Sequence, residues 1–334
     1  MQKTGQIRQT GLGGYPANWR LSNFSRSFAD YGKNKEVIWI ENSSSPCIRI
    51  SKVHIMSKVW FITGAGSGIG AGAVRAALKA GNRVVATGRN VRKLRDALSD
   101  VASRDLEVLQ LDVSDDAQAK AAIDQAVNTF GRIDVVLNNA GYCVLGNFEE
   151  LSNQDFERQF ATNFRGVLNV MRAALPVMRK QRSGHIINMS SVAGVVGLMH
   201  CSAYGASKFA VEGLSLSVLE EVGKFGIKIT VVEPGFFRTD LLSEANAKWA
   251  ANRIDDYAAT EASAKDMWSP YAGTQPGDPD KLGQVLVKLA DMSVPPRLFI
   301  AGGDAIAAVA PAVEARLKAT HDFEELSKST NGNF

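Results

Sequence analysis

The strongest constraint on the fold is the octapeptide TGAGSGIG, Thr63 to Gly70, set between a short apolar run, Val59 to Ile62, and a segment of helical composition, Gly68 to Ala80. A strand that feeds a helix through such a loop turns tightly, lets backbone amides approach a ligand, and presents the positive end of the helix to it. A pyrophosphate suits that place, so Gly64, Ser67, Gly68, Ile69 and Gly70 are candidate contacts to a dinucleotide. A glycine cluster by itself is usually an ordinary turn; its position between strand and helix carries the reading.

From Lys58 onward strand and helix signals alternate. Apolar runs at 83–87, 106–111, 133–137, 185–189, 227–232 and 297–300 read as further strands. Gly81 stops the first helix, and Ser114 reads as an N-cap with Asp115 and Asp116 in the first turn. Ile123, Val127 and Phe130 mark one face of that helix before Gly131 ends it. Ser152 and Asp155 have capping-box spacing at the head of a long helix, and Ala203 to Lys224 forms another. The alternation predicts a doubly wound α/β fold, a parallel sheet with helices on both faces and no internal repeat.

Composition narrows the class. A chain of 334 residues, 45% hydrophobic and 22% charged, suits one large α/β domain with a substantial core. No apolar run is long enough to cross a bilayer, so no membrane role is expected. Cys47, Cys143 and Cys201 are too scattered for a disulfide framework and point to a reducing, cytoplasmic setting. His54, His185, His200 and His321 show no ligand spacing, so no metal is expected. Residues 1–55 carry eight Lys or Arg against three Asp or Glu, which leaves the rest near neutral and argues against a nucleic-acid partner. That leader, rich in Ser, Asn and Gly, reads as a poorly ordered extension. Met56, which opens MSKVWFITGAG, reads as the start of the domain at 56–334 and as the biological start; a basic targeting presequence is the alternative.

The second strand ends in ATGR. An acid there would grip ribose hydroxyls and repel a ribose phosphate, but Gly88 takes the place and Arg89 follows with a guanidinium matched to phosphate. The expected cofactor is therefore NADP(H) rather than NAD. Asp112 and Val113, past the third strand, are placed to meet the adenine, although Asp at a strand end serves as often as a turn residue. NNAG, with Asn139, Ala140 and Gly141, suits a backbone passing close to the cofactor ribose and is expected to be partly structural.

Tyr204 and Lys208, in YGASK, stand four apart at the start of a helix, one above the other. An ammonium beneath a phenol favours the phenolate, which makes Tyr204 a proton donor and acceptor usable near neutral pH.

TGAGSGIG, NNAG, Ser191, YGASK and EPGFFRT, in this order, resemble the motifs of the short-chain dehydrogenase/reductase superfamily in its single-domain form, from Met56 to about Ile300. The resemblance implies a seven-stranded Rossmann domain, homodimers or homotetramers, and catalytic roles for Asn163, Ser191, Tyr204 and Lys208. Ser191 rather than Ser190 has the thirteen-residue spacing to the tyrosine. In that scheme Ser191 holds the substrate carbonyl, Tyr204 supplies the proton, Lys208 supports the tyrosinate and the nicotinamide ribose, and Asn163 anchors a relay water. Pro234 and Gly235 close the nicotinamide pocket, and Thr239 bonds the carboxamide. The activity implied is an NADP(H)-dependent oxidoreductase interconverting a ketone and a secondary alcohol. Residues 236–280, longer than a simple connection needs and rich in aromatics, read as a lid over an apolar substrate met by Phe236 and Phe237; those aromatics equally suit packing against the body or a second subunit. A non-catalytic NADP-binding regulator and an epimerase or dehydratase using the same Tyr and Lys are the other function classes.

Overall fold

The computed structural model describes residues 36–40, 50–54, 57–244, 246–260 and 262–332. The chain divides into two units, Met1–Met56 and Ser57–Phe334. In the first, strands Glu36–Ile40 and Ile50–His54 pair antiparallel, with Glu36 opposite His54. Met56 and most of the basic leader lie outside the described residues.

The second unit carries β1 (Val59–Thr63), α1 (Gly68–Lys79), β2 (Arg83–Gly88), α2 (Val91–Ala97), β3 (Leu106–Gln110), α3 (Asp116–Phe130) and β4 (Val135–Asn138). It continues through α4 (Asn153–Phe160), α5 (Gly166–Gln181), β5 (Gly184–Met189), α6 (Ser202–Val222) and β6 (Ile227–Pro234). Then come α7 (Asp255–Thr260), α8 (Ala264–Trp268), α9 (Pro279–Asp291), β7 (Leu298–Ala301) and α10 (Gly303–Asp322). The seven strands pair in the order β3-β2-β1-β4-β5-β6-β7, all parallel. This is the doubly wound Rossmann arrangement, and its order reverses between β1 and β4, where a crevice opens at the carboxyl ends.

Every residue of β1 is buried, so the strand reads as a continuous apolar run rather than an alternating one. One core layer joins Trp60, Ile62, Val84 and Val232 to α1 and α9; the other joins Phe61, Val136, Ile186 and Ile229 to α3, α5 and α6. Local signals act as read: Gly131 closes α3 in the left-handed region at φ 79°, and Ser152 with Asp155 forms a reciprocal capping box on α4. One cap differs. Asp115, not Ser114, caps α3, accepting from Gln118 N, because the Ser114 hydroxyl is donated to Asp112 Oδ1 at 2.7 Å. The long helix predicted after Ser152 is interrupted by a π turn at Ala161–Arg165 that joins α4 to α5.

Candidate active site

A cavity of about 390 Å³ opens at the crevice and runs from the glycine loop to the segment after β6. The loop can lie flat over the end of β1 because of two glycines. Gly68 holds φ +51°, and a methyl group at Gly70 would sit 2.3 Å from the Gly64 carbonyl oxygen. Asn139 completes the floor, donating its side-chain amide to Thr63 O and Gly64 O at 3.1 and 3.0 Å, while Asn139 N and Ala140 N both donate to Thr63 Oγ1. NNAG therefore ties β4 to β1 as well as lining the cavity. Gly64, Ser67, Gly68, Ile69, Asn139, Ala140 and Gly141 all stand in the wall, whereas Gly70 works from behind it.

At the end of β2, Gly88 and Arg89 line the cavity, and Arg89 is exposed. Lys93, one turn into α2, lines it too. It was missed in the sequence, although its position after an Asn90 cap that accepts from Lys93 N is the kind of signal that finds such residues. Asp112 and Val113 do not line the cavity. Asp112 Oδ1 accepts from Ser114 N and Oγ, and Val113 O accepts from Asn169 Nδ2.

The other end is built by β5, α6 and the turn after β6. Ser191 caps a short turn, its Oγ accepting from Ala193 N at 3.1 Å, and its hydroxyl also meets the Tyr204 phenol. Ser190 is buried beneath Gly194, where a methyl group would lie 2.4 Å from its Oγ. Lys208, 6% exposed, donates from Nζ to Met189 O at 2.7 Å and lies 5.7 Å from the Tyr204 ring centroid. Burial raises the Tyr204 phenol above its ordinary value, the Ser191 hydroxyl lowers it, and Cys143 and Cys201 raise it further. Burial pulls Lys208 down to about 8, with Glu212 opposing. The Lys208 ammonium therefore stands beside the Tyr204 ring while donating to a main-chain carbonyl.

Asn163 sits in the π turn, buried, and its side chain is fully spoken for: Oδ1 accepts from Tyr142 N, and Nδ2 donates to Tyr142 O and Ser207 Oγ. It does not line the cavity. Pro234, Gly235, Phe236, Phe237 and Thr239 do. Asp304, at the head of α10 and unforeseen from sequence, fixes their turn by accepting from Phe236 N at 2.6 Å.

Phe236 stacks with Trp268 and Tyr271, at ring centroid distances of 5.9 and 5.5 Å. The aromatics of 236–280 therefore pack on one another, while Phe236, Phe237 and Trp268 also face the cavity. Cys143, Leu145, Leu198, Cys201, Leu241 and Leu242 add apolar wall at this end, with Asp240, Asn246 and Gln275 the polar residues among them. Burial pushes both thiols up to about 12, which disfavours the thiolate. Among the described residues no cluster of His, Cys, Asp or Glu could hold a metal ion, and no helix is long and apolar enough to cross a membrane.

Comparison with known proteins agrees with this geometry. A family model described as short chain dehydrogenase matches residues 58–250. The chain is 36% identical over 278 residues to oxidoreductase BOA17 of Botryotinia fuckeliana, covering 81% of this chain and 98% of that one. A crystal structure of a short-chain dehydrogenase from Streptomyces avermitilis superposes with TM-score 0.75 at 32% identity, over 83% of this chain and 99% of that one. The protein ElxO with NADP bound superposes with TM-score 0.63 at 29% identity, over 75% and 100%.

Proposed function

The chain belongs to the short-chain dehydrogenase family, and from that premise we propose that it interconverts a ketone and a secondary alcohol with Tyr204 as general acid and base. It is an oxidoreductase using NADP(H), in keeping with the NADP-bound form of ElxO. The observation that carries the catalytic reading is the convergence of Tyr204, Ser191 and Lys208 on the wall of the cavity that begins at the glycine loop.

The residues present fit the cofactor. Backbone amides at the head of α1 suit its pyrophosphate, and Arg89 with Lys93 suits a ribose phosphate. Asn139, Gly141 and Lys208 suit the nicotinamide ribose, and Pro234, Gly235 and Thr239 its nicotinamide; Asp112 and Val113, which lie off the cavity wall, would serve the adenine only from beyond it. Bound NADPH supplies the hydride.

The rest belongs to the chain. Ser191 donates to the substrate carbonyl oxygen and, with the Tyr204 hydroxyl, polarises it. Tyr204 then passes its proton to the forming alkoxide, and the Lys208 ammonium stabilises the tyrosinate left behind, an effect strengthened by the dry site. Asn163 holds the π turn behind them, and with its amide committed to Tyr142, any relay water it anchors sits on its main chain. Residues 236–280 form a lid, and the apolar wall, with Phe236 and Phe237, selects a hydrophobic ketone or alcohol. The chain assembles as a homodimer or homotetramer, a reading supported by Phe209 and Leu216, which are exposed one above the other on α6.

The test is NADPH consumption by purified protein over a panel of apolar and polar carbonyls, beside an NADH control and Tyr204→Phe. Turnover with NADPH that falls by about 100-fold to 10,000-fold in the variant is expected. Tight NADPH binding without turnover would favour a binding protein, and a cofactor required but not consumed would favour epimerase or dehydratase chemistry.

A further inference from the structure

Behind the reacting groups, between α6 and the end of the sheet, lie charged side chains that carbonyl reduction as written above does not use. Glu212 follows Lys208 by four residues, one turn along α6 and on the same face. Its Oε1 is shut off from solvent, and no hydrogen-bond donor reaches it. Glu233, 3% exposed, stands on β6 next to Pro234 and acts on Glu212 from the sheet side. The buried Ser190 hydroxyl is close enough to favour the Glu212 carboxylate but closes no well-formed hydrogen bond of its own. Lys208 Nζ holds the carbonyl of Met189, the residue before Ser190. The charged groups acting on Glu212 are thus Lys208 from its own helix and Glu233 from β6, with Ser190 from the end of β5 the polar one.

Two neighbouring carboxyls screened from solvent do not ionise independently, and such a pair keeps a proton that either alone would lose. A single ammonium beside them responds to whichever charge results. We propose that Glu212, backed by Glu233, is a positioning residue for Lys208: protonation of this carboxyl pair sets how much negative charge faces the ammonium, and so the pH range over which Lys208 stays charged beside Tyr204.

The electrostatics run in the required direction. Burial pushes Glu212 up to about 7, the Glu233 charge adding to the rise while Ser190 and Lys208 oppose it. Burial alone raises Glu233. As pH climbs through the neutral range Glu212 ionises, and its charge then supports the Lys208 proton where burial has weakened it. Removing the Glu212 charge should therefore make Lys208 lose its proton at lower pH, and removing Glu233 should let Glu212 ionise earlier.

The inference rests on the catalytic reading of Lys208, so two measurements separate their failures. The first is the pH profile of kcat/KM for the parent, Glu212→Gln, Glu212→Asp and Glu233→Gln. Glu212→Gln should move the alkaline limb down by about one pH unit, Glu233→Gln should leave that limb in place because Glu212 is ionised there with or without Glu233, and Glu212→Asp should restore the parent shape. A merely structural role would lower all rates without moving either limb, and that result overturns the proposal. The second needs no turnover: the Lys208 side chain, identified by its loss in Lys208→Arg, is titrated by NMR. A lower midpoint in Glu212→Gln upholds the coupling even if no carbonyl is reduced, and an unchanged midpoint refutes it even if NADPH turnover is brisk.

Discussion

Arg89 stands exposed at the end of β2, with Lys93 on the same stretch of cavity wall and no carboxylate at Gly88 to oppose an added phosphate. A charge-assisted contact from a guanidinium to phosphate contributes roughly 1.5–3 kcal/mol, so Arg89→Ala should weaken NADPH about 10-fold to 100-fold while leaving NADH nearly untouched, as titration of the two cofactors would read. Residues like this one are legible in sequence because their meaning depends on neighbours a few positions away: ATGR, NNAG and YGASK are short words. Asp304 is not a word: it matters through Phe236, and a one-dimensional reading cannot pair residues 68 positions apart. The setting of Lys208 beside Tyr204 shows the same limit. Helical spacing places the ammonium correctly, but its burial and its bond to the Met189 carbonyl are tertiary facts.

Helices α1 and α9 cross where Gly72 meets Gly283, so closely that a methyl group at Gly283 would lie 2.4 Å from the Gly72 carbonyl carbon. Backbone cannot yield as a flexible side chain can, so Gly283→Ala should force the helices apart at a cost of about 1–3 kcal/mol, measurable by denaturant unfolding, and should weaken NADPH because α1 carries the glycine loop. Elements as such were largely legible. Seven apolar runs became the seven strands of the sheet, and the Ser152 and Asp155 box closed as its spacing implied. The π turn at Ala161–Arg165 was not, since the roughly 100° by which one extra residue turns the apolar stripe is hard to tell in sequence from a local change of residue type. Nor were the two-residue strands Val144–Leu145 and Lys248–Trp249, which pair over a separation no local signal spans. At the N-cap of α3 two adjacent candidates competed, and the side chain already bound to Asp112 lost.

At the scale of the whole molecule, His185 links the sheet to its environment. It is buried on β5, with Nε2 2.9 Å from Thr230 Oγ1; the Thr230 hydroxyl is itself donated to Pro296 O, so Nε2 carries the hydrogen and Nδ1 is bare. Burial first, then Lys228 and Lys58, pulls its pKa from 6.5 down to about 3. The unfolded chain therefore binds the extra proton first, and the folded state loses stability as pH falls from about 6.5 towards about 3, by an amount on the order of a few kcal/mol. Urea unfolding across that window should show the loss, and His185→Gln, which does not titrate there, should flatten it. The strand order behind this core has a further consequence for how the protein comes into being. The walls of the cavity are contributed by segments as far apart as Gly64 and Gln275, on either side of the point where the sheet reverses. During synthesis the glycine loop leaves the ribosome roughly two hundred residues before the last wall does, so the phosphate grip is made long before there is anything for it to serve, and the cavity exists only in the finished chain.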